Sequence, residues 1–269
     1  MNSSEKRDRI LEELRWTVSS TCGELTAIPK GWLATTPELP LVRGLNHVRF
    51  TEPVDFDECI STADHYMRDK PFRHIVVEDE SSGDVLEPLF RKQHWTVGRN
   101  LGMSLDDEPQ RQVDGTVVVE LDEHQMIELM RLWERDEHVG ITDEHLVQLD
   151  EYNKLSGRLW NEMCFGFFDG SKPVAICKLR THLRTGWVEA VYTLPEYRGR
   201  GYARVAVTHA TELARSGGFD LISSRPTTRT GRRTCMPTSD SGLSSTPGCS
   251  VETSDIPDRA LKAPSRRGP

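Results

Sequence analysis

Two hydrophobic periods alternate along the chain. Apolar runs at 41–50 and 72–77 read as strands, and between them residues 55–68 place Phe56, Cys59, Ile60, Ala63 and Met67 on one face at helical spacing. Residues 84–92 read as a short helix and 96–105 as a closing strand. Charges, two glutamines and Pro109 make 106–114 a linker. The pattern then restarts with a strand at 116–121 and a helix at 123–134, whose Met126, Ile127, Met130 and Trp133 recur at helical spacing and read as core. A second helix at 143–155 leads to three strands at 163–168, 174–179 and 187–194, the first two joined by the hairpin signal Asp169-Gly170-Ser171-Lys172. A helix at 201–215, ended by Gly217-Gly218, precedes a last strand at 219–223. The order predicts an α/β (α+β) fold with a mixed, mostly antiparallel central sheet flanked by helices.

Beyond residue 224 the character changes. From Arg225 to Pro269, 24 of 45 residues are Ser, Thr, Pro or Gly and none is aromatic, a composition that buries too little surface to offset its ordering entropy. Disorder is expected over 225–269. This segment also holds eight Lys/Arg against four Asp/Glu, so residues 1–224 carry 26 basic against 38 acidic side chains, and the body is more acidic than the overall −8 suggests. Such a body repels nucleic acid, and the basic tail lacks the interleaved aromatic residues of a nucleic-acid-binding segment.

The six cysteines, at 22, 59, 164, 177, 235 and 249, form no C-x-x-C pair, so neither a zinc site nor a disulfide framework is signalled, and the first four read as thiols in or near the core. His124, His138, His145, His182 and His209 show no metal-ligand spacing. No stretch approaches the roughly 18–20 apolar residues of a membrane helix, and the N-terminus lacks a signal-peptide core, so a cytoplasmic location without membrane contact is expected.

The chemistry concentrates at Leu194-Pro195-Glu196-Tyr197-Arg198-Gly199-Arg200-Gly201-Tyr202-Ala203-Arg204. A strand stops at Pro195, a loop with two glycines follows, and a helix begins at once. The first amides of a helix have no intrahelical partner and share the positive end of the helix dipole, which suits a pyrophosphate. Gly199 and Gly201 permit positive φ and close backbone approach, and Arg198, Arg200 and Arg204 can add charge-assisted bonds.

This run resembles the signature of the GNAT N-acetyltransferase superfamily, Gln/Arg-x-x-Gly-x-Gly/Ala, with Arg198, Gly201 and Ala203 at the defining positions. The resemblance covers 116 to about 223. It implies acetyl-CoA as acyl donor, no metal, and transfer of acetyl to a primary amine of a small molecule or peptide. It places the coenzyme pyrophosphate on the amides of Gly199, Arg200, Gly201, Tyr202, Ala203 and Arg204, and the pantetheine arm and acetyl carbonyl on the main chain of Val191, Tyr192 and Thr193, where the family splays two strands. The acceptor then approaches from the opposite side. Glu189, on the strand leading into that site, is the candidate general base, with a solvated strand residue or an amine anchor as the other readings. Glu134, Asp136 and Glu137 are candidates for acceptor contact, with a solvated helix end as the plainer reading.

The family pattern continues with a helix carrying Leu-Tyr-x-x-x-Gly-Phe, whose tyrosine is the usual general acid, and a final strand. Here all five tyrosines, Tyr66, Tyr152, Tyr192, Tyr197 and Tyr202, lie upstream. Read two bases later from Pro226 on, permitted codons turn the segment into Asp-Asp-Glu-Asp-Trp-Pro-Lys-Asp-Leu-Tyr-Ala-Asp-Phe-Gly-Leu, so the tail reads as a frame-shifted product. A related strand, acidic turn, helix and aromatic order at 73–95 makes the first half look like a degenerate GNAT-like unit. The expected organisation is a GNAT-like domain at 1–110, a truncated acetyltransferase domain at 111–224 and the tail at 225–269. Loss of a helix and strand implies an exposed sheet edge and marginal stability. A catalytically impaired acyl-CoA-binding or regulatory protein is the alternative, and a homodimer is kept open.

Overall fold

The computed structural model describes residues 1–105, 118–138, 140–224, 227–229 and 243–255. The chain opens with helix α1 (Ser3–Thr21) and the hairpin β1 (Glu24–Ile28) and β2 (Gly31–Thr35). A 3-10 turn at Arg43–Leu45 precedes β3 (His47–Phe50), α2 (Phe56–Tyr66), β4 (Arg73–Val77), α3 (Glu80–Lys92) and β5 (Thr96–Leu105). The second half contains β6 (Val119–Glu120), α4 (Glu123–Glu137), α5 (Asp143–Leu159), β7 (Met163–Asp169), β8 (Lys172–His182) and β9 (Thr185–Thr193), then α6 (Tyr202–Ser216) and β10 (Leu221–Ser224). Two further strands, β11 (Thr227–Arg229) and β12 (Leu243–Asp255), complete the described chain.

All strands join one sheet in the order β1-β2-β3-β4-β12-β5-β10-β9-β8-β7-β6, with β11 pairing β5 outside that path. Two pairs, β3 with β4 and β9 with β10, are parallel, and each is bridged by one helix. The other ladders are antiparallel, among them the β7–β8 hairpin that the signal at Asp169 to Lys172 predicts.

Local chemistry explains the boundaries. Asn2, Asp55 and Asp122 cap α1, α2 and α4, each in a reciprocal box with the acidic or amide residue three positions on. Asp79 caps α3 through the amide of Ser82 at 2.8 Å, so this helix starts before the 84–92 expected from its apolar residues. The strand expected at 41–50 is shorter because buried Asn46 turns the chain: its side chain accepts from Thr36 N at 3.0 Å and donates to Leu39 O at 2.9 Å and Val42 O at 3.0 Å. Helix α5 runs past 155 to the buried anchor Trp160. Gly31 is required by contact, since a Cβ there would lie 1.9 Å from Arg49 O.

Helix α6 covers one face of the second-half strands, with His209 edge-on to Phe165 and Tyr202 against Phe167. Helices α4, α5 and α1 cover the other face, where Trp133 stacks on Tyr192 and Trp160 meets Trp187 edge-on. The first half has a separate core in which α2 and α3 bury Cys59, Ala63, Leu86 and Phe90 against Val48, Phe50, Ile75 and Val77. Fully buried Phe50 and Phe90 each contribute about 1.5–3 kcal/mol by leaving water. Of the cysteines, Cys59, Cys164 and Cys177 are buried and Cys22 half-buried, and burial pushes the Cys59 and Cys164 thiols up to about 12.

Helix α1, which hydrophobic periodicity does not announce, fastens the two halves together. Arg9 donates to Asp220 at 2.6 Å, Glu13 meets His182 at 2.6 Å, and Arg15 pairs with Glu78. Its Ile10 joins Trp160, Trp187 and Leu221 in a third apolar cluster.

The exposed sheet edge expected beside β10 is not there: β5 of the first half covers it, pairing Ser223 with Ser104 and Ser224 with Met103. Within the segment whose composition reads as disordered, β12 pairs with β4 and β5 on its two sides, and backbone ladders of this kind need no particular side chain. The linker at 106–114 and the rest of 225–269 lie outside the described residues. Among the described residues no helix is long and apolar enough to cross a membrane.

His47 is fully buried, and burial, then the nearby Arg49 and His74, hold its pKa well below the ordinary histidine value. The folded state therefore resists a proton that the unfolded chain takes up near pH 6.5, so stability present above that pH is lost as the pH falls below it. Thermal midpoints measured from about pH 7.5 to 5.5 should decline, and less steeply in His47→Phe.

Candidate acetyl-donor site

The site is built where β9 runs into α6. The ladder between β9 and β10 holds only from Leu221↔Thr185 to Ser223↔Trp187; Ser224 already faces Met103 of β5. That ladder stops one residue before β10 itself ends, and from Val188 onward β9 has no ladder partner on that side among the described residues. On its other side, β9 pairs with β8 through an irregularity. Glu189 lies opposite Lys178 and Tyr192 opposite Ile176, so Ala190 and Val191 bulge across from the single residue Cys177. Ala190 takes φ +51°, a left-handed conformation uncommon for a side-chain-bearing residue. The bulge leaves main-chain groups of Val191, Tyr192 and Thr193 beside a gap in the described ladder.

Below the gap, a 3-10 turn at Pro195–Tyr197 carries the chain into the glycine loop. Gly199 has φ +80° and Gly201 φ +88°, and Gly201 is the N-cap of α6. A Cβ at either position would meet nothing within 4 Å, so backbone conformation, not crowding, demands glycine, and the space in front of the loop is open. No side chain caps this helix and no acidic residue stands in its first turn. The first helical bond runs from Val205 N to Gly201 O at 3.1 Å, which leaves the amides of Tyr202, Ala203 and Arg204 ahead of the helix's own bonding. The junction is an uncapped, dipole-positive helix end facing solvent.

The arginines of the loop are folded back. Arg198 donates through Nε to Thr193 O at 3.0 Å and through Nη2 to Asp136 Oδ2 at 2.6 Å, and its guanidinium lies 5.7 Å from the Tyr192 ring. Arg200 sits 4.9 Å from the Tyr197 ring, and Arg204 is exposed. Asp136, at the end of α4, thus shapes the loop. Burial, then the Asp136 carboxylate, push the Tyr192 phenol up to about 12. Glu134 pairs with His138 at 3.4 Å, and Glu137 is exposed.

Residues 123–231 match the model of the acetyltransferase (GNAT) family. The chain carries a GNAT acetyltransferase domain. Three solved structures are similar over much of the chain. A functionally unknown conserved protein from Staphylococcus epidermidis ATCC 12228 is 11% identical with a TM-score of 0.67, over 88% of this chain and 95% of that one. A GCN5-related N-acetyltransferase from Kribbella flavida is 16% identical with a TM-score of 0.60, over 92% and 94%. Another from Sphaerobacter thermophilus is 16% identical with a TM-score of 0.51, over 73% and 66%. At these identities the likeness is one of fold. No curated protein matches the chain.

On the sheet face away from α6, the GNAT domain buries a charge network that the sequence reading missed. Glu162, 4% exposed, accepts from Lys178 at 3.1 Å and from Arg180 at 2.5 Å; Arg180 also pairs with Glu189, and Lys178 donates to Asn153. Burial pushes the Glu162 pKa up, but the Arg180 and Lys178 charges pull harder and the net shift is downward. The one local signal was Lys178 and Arg180 at alternate positions of an otherwise apolar strand, the parity of a single sheet face. Glu189, 26% exposed, is thus anchored by a buried arginine rather than solvated.

Glu162→Gln leaves Lys178 and Arg180 with one carboxylate between them. Urea titration should show a loss of about 3–5 kcal/mol. Lys172→Ala, which breaks an exposed pair with Glu196, should leave the midpoint close to its original value.

Proposed function

We propose that the chain is an acetyl-CoA-dependent N-acetyltransferase acting on a primary amine. The observation that carries this reading is the coincidence, at the end of one strand, of an uncapped helix start with two left-handed glycines and a bulged strand edge that has no ladder partner among the described residues. The residues fit the donor. The amides from Gly199 to Arg204 meet a diphosphate without a competing carboxylate in the first turn, and the loose edge of β9 at Val191, Tyr192 and Thr193 accepts an extended amide-bearing arm as a substitute strand. Acetyl-CoA would supply the activated acetyl group.

The remaining work falls to side chains of the opposite face. An amine is nucleophilic only when neutral, so a proton must leave the acceptor ammonium before its nitrogen attacks the thioester carbon. Glu189 lies one residue before the bulge and, held by Arg180, is the carboxylate placed to take that proton directly or through a water. As the N–C bond forms, the C–S bond breaks and the departing thiolate takes a proton. The tyrosine helix that supplies this proton in the family pattern falls, in the shifted reading, on 225–269, outside the described residues except for β11 and β12.

Gly201→Glu forces a side chain into left-handed φ and puts a negative charge at the helix end. Calorimetric titration with acetyl-CoA should show affinity weakened about 100-fold or more, with the thermal midpoint lowered by about 2–8 °C from the strained φ. In a thiol-release assay over a broad amine panel, Glu189→Gln should lower kcat about 10²–10⁴-fold while acetyl-CoA affinity stays within about twofold. Tight coenzyme binding with no amine acetylated would instead favour a non-catalytic acyl-CoA-binding protein.

A further inference from the structure

Two adjoining cavities lie beneath α1, of ≈ 50 Å³ and ≈ 80 Å³, and Leu14, Thr17 and Tyr152 line both. The first also has Glu189, Arg180, Trp160 and Trp187 in its wall. Glu189 stands one residue before the β9 bulge, so this cavity adjoins the strand segment proposed to hold the acetyl end of the donor. Resting on the acetyltransferase reading, we infer that the first cavity seats the acceptor's amino group on Glu189, Thr17 and Tyr152, and that the acceptor is a small primary amine with an uncharged tail. Thr17 belongs to α1, outside the residues matched to the family, so the first half of the chain takes part in choosing the acceptor.

The three side chains offer oxygen acceptors from three different elements. Arg180 pairs with Oε1 of Glu189, which leaves Oε2 for another donor. The Thr17 hydroxyl gives its own hydrogen to Glu13 O at 2.7 Å, so toward the cavity it can only accept. The half-buried Tyr152 phenol, on α5, accepts through its oxygen. A primary ammonium carries three N–H donors, and α1, α5 and β9 each supply one acceptor for them. Arg180 shares the wall, but it is held by Glu162 and Glu189, and with Lys178 the cluster balances in charge, so the cavity does not repel a cation. The second cavity receives the tail. Leu14, Val18 and Val76 give it apolar surface, and its polar groups are engaged elsewhere: Arg49 donates to Glu78 at 2.8 Å, and His74 Nδ1 lies 2.9 Å from Arg43 O. A charged tail would be buried there without a counter-charge of its own, a cost that an uncharged tail avoids. At roughly 10–15 Å³ per ordered water, the two cavities together hold about ten waters, which suits an amine of similar heavy-atom count and leaves no space for a peptide main chain.

The test uses the full chain with acetyl-CoA and three sets of primary amines: alkylamines and amino alcohols with uncharged tails, ω-amino acids of matched length, and lysine-containing peptides. We expect kcat/KM for the uncharged set to exceed that of either other set at least about tenfold. Tyr152→Phe and Thr17→Val each remove one oxygen and keep the bulk of the side chain. Each should raise the acceptor KM about tenfold or more, while the calorimetric affinity for acetyl-CoA and the thermal midpoint stay as they were. A purely structural role would move the midpoint and leave the acceptor KM alone. Amino acids or peptides acetylated as efficiently as the uncharged set, or an acceptor KM unchanged in either variant, would overturn the inference and leave the acetyltransferase reading standing. No turnover of any amine by protein that binds acetyl-CoA would overturn that reading, and the seat with it.

Discussion

The architecture of this protein depends on a short parallel pair, because β9 keeps only three residues in register with β10 and runs on beside β8 alone among the described residues. β10 pairs with β9 on one edge and with β5 of the first half on the other, and beyond Trp187 β9 continues beside β8. Two residues bulged against one, with Ala190 at positive φ, re-aim β9 where it loses its neighbour. The strain is held because β8 is buried along nearly its whole length and β9 cannot slide without turning Trp187 and Glu189 to the wrong face. The open edge of β9 is therefore a property of the sheet, and the glycine loop of α6 follows it by continuity of the chain.

The opposite face answers a different demand. Buried charge is costly, yet Lys178, Arg180, Glu162 and Glu189 are gathered under α5 with charges that cancel in sum. Such an arrangement contributes little to net stability beyond what a well-packed apolar patch would supply. What it adds is direction: Arg180, held by Glu162, fixes Glu189 at the mouth of the opening. Indoles of Trp160 and Trp187 shield the cluster, so its ion pairs act in a medium poorer in water than a surface pair would meet.

Much of this fold was legible in the chain because its signals are local. The strand-loop-helix junction at 194–204 could be read from eleven residues of pattern, and the hairpin at Asp169 to Lys172 from four. Features that rest on distant partners left little trace. Arg198 looks free in the sequence, but Asp136, 62 residues earlier, captures it. Arg180 and Lys178 resemble ordinary strand residues until Glu162 and Glu189 close around them. The expected open edge of β10 was wrong for the same reason, since the strand that covers it comes from more than a hundred residues upstream. Helix α1 escaped notice because only a narrow stripe, Ile10 and Leu11 with Leu14, is apolar, and ionic ties to both halves do the rest.

Those ties have a consequence for how the chain reaches its native state. Arg9 and Asp220 are 211 residues apart, and Glu13 and His182 are 169 apart. Helix α1 is thus among the last segments to find its seat, because β8 and the turn before β10 must exist before it has anything to dock on. A weakly amphipathic segment of this length has little reason to stay helical alone. Its docking is a late, high-contact-order event, and until it occurs the two halves are held together chiefly through β5 and the strands beside it.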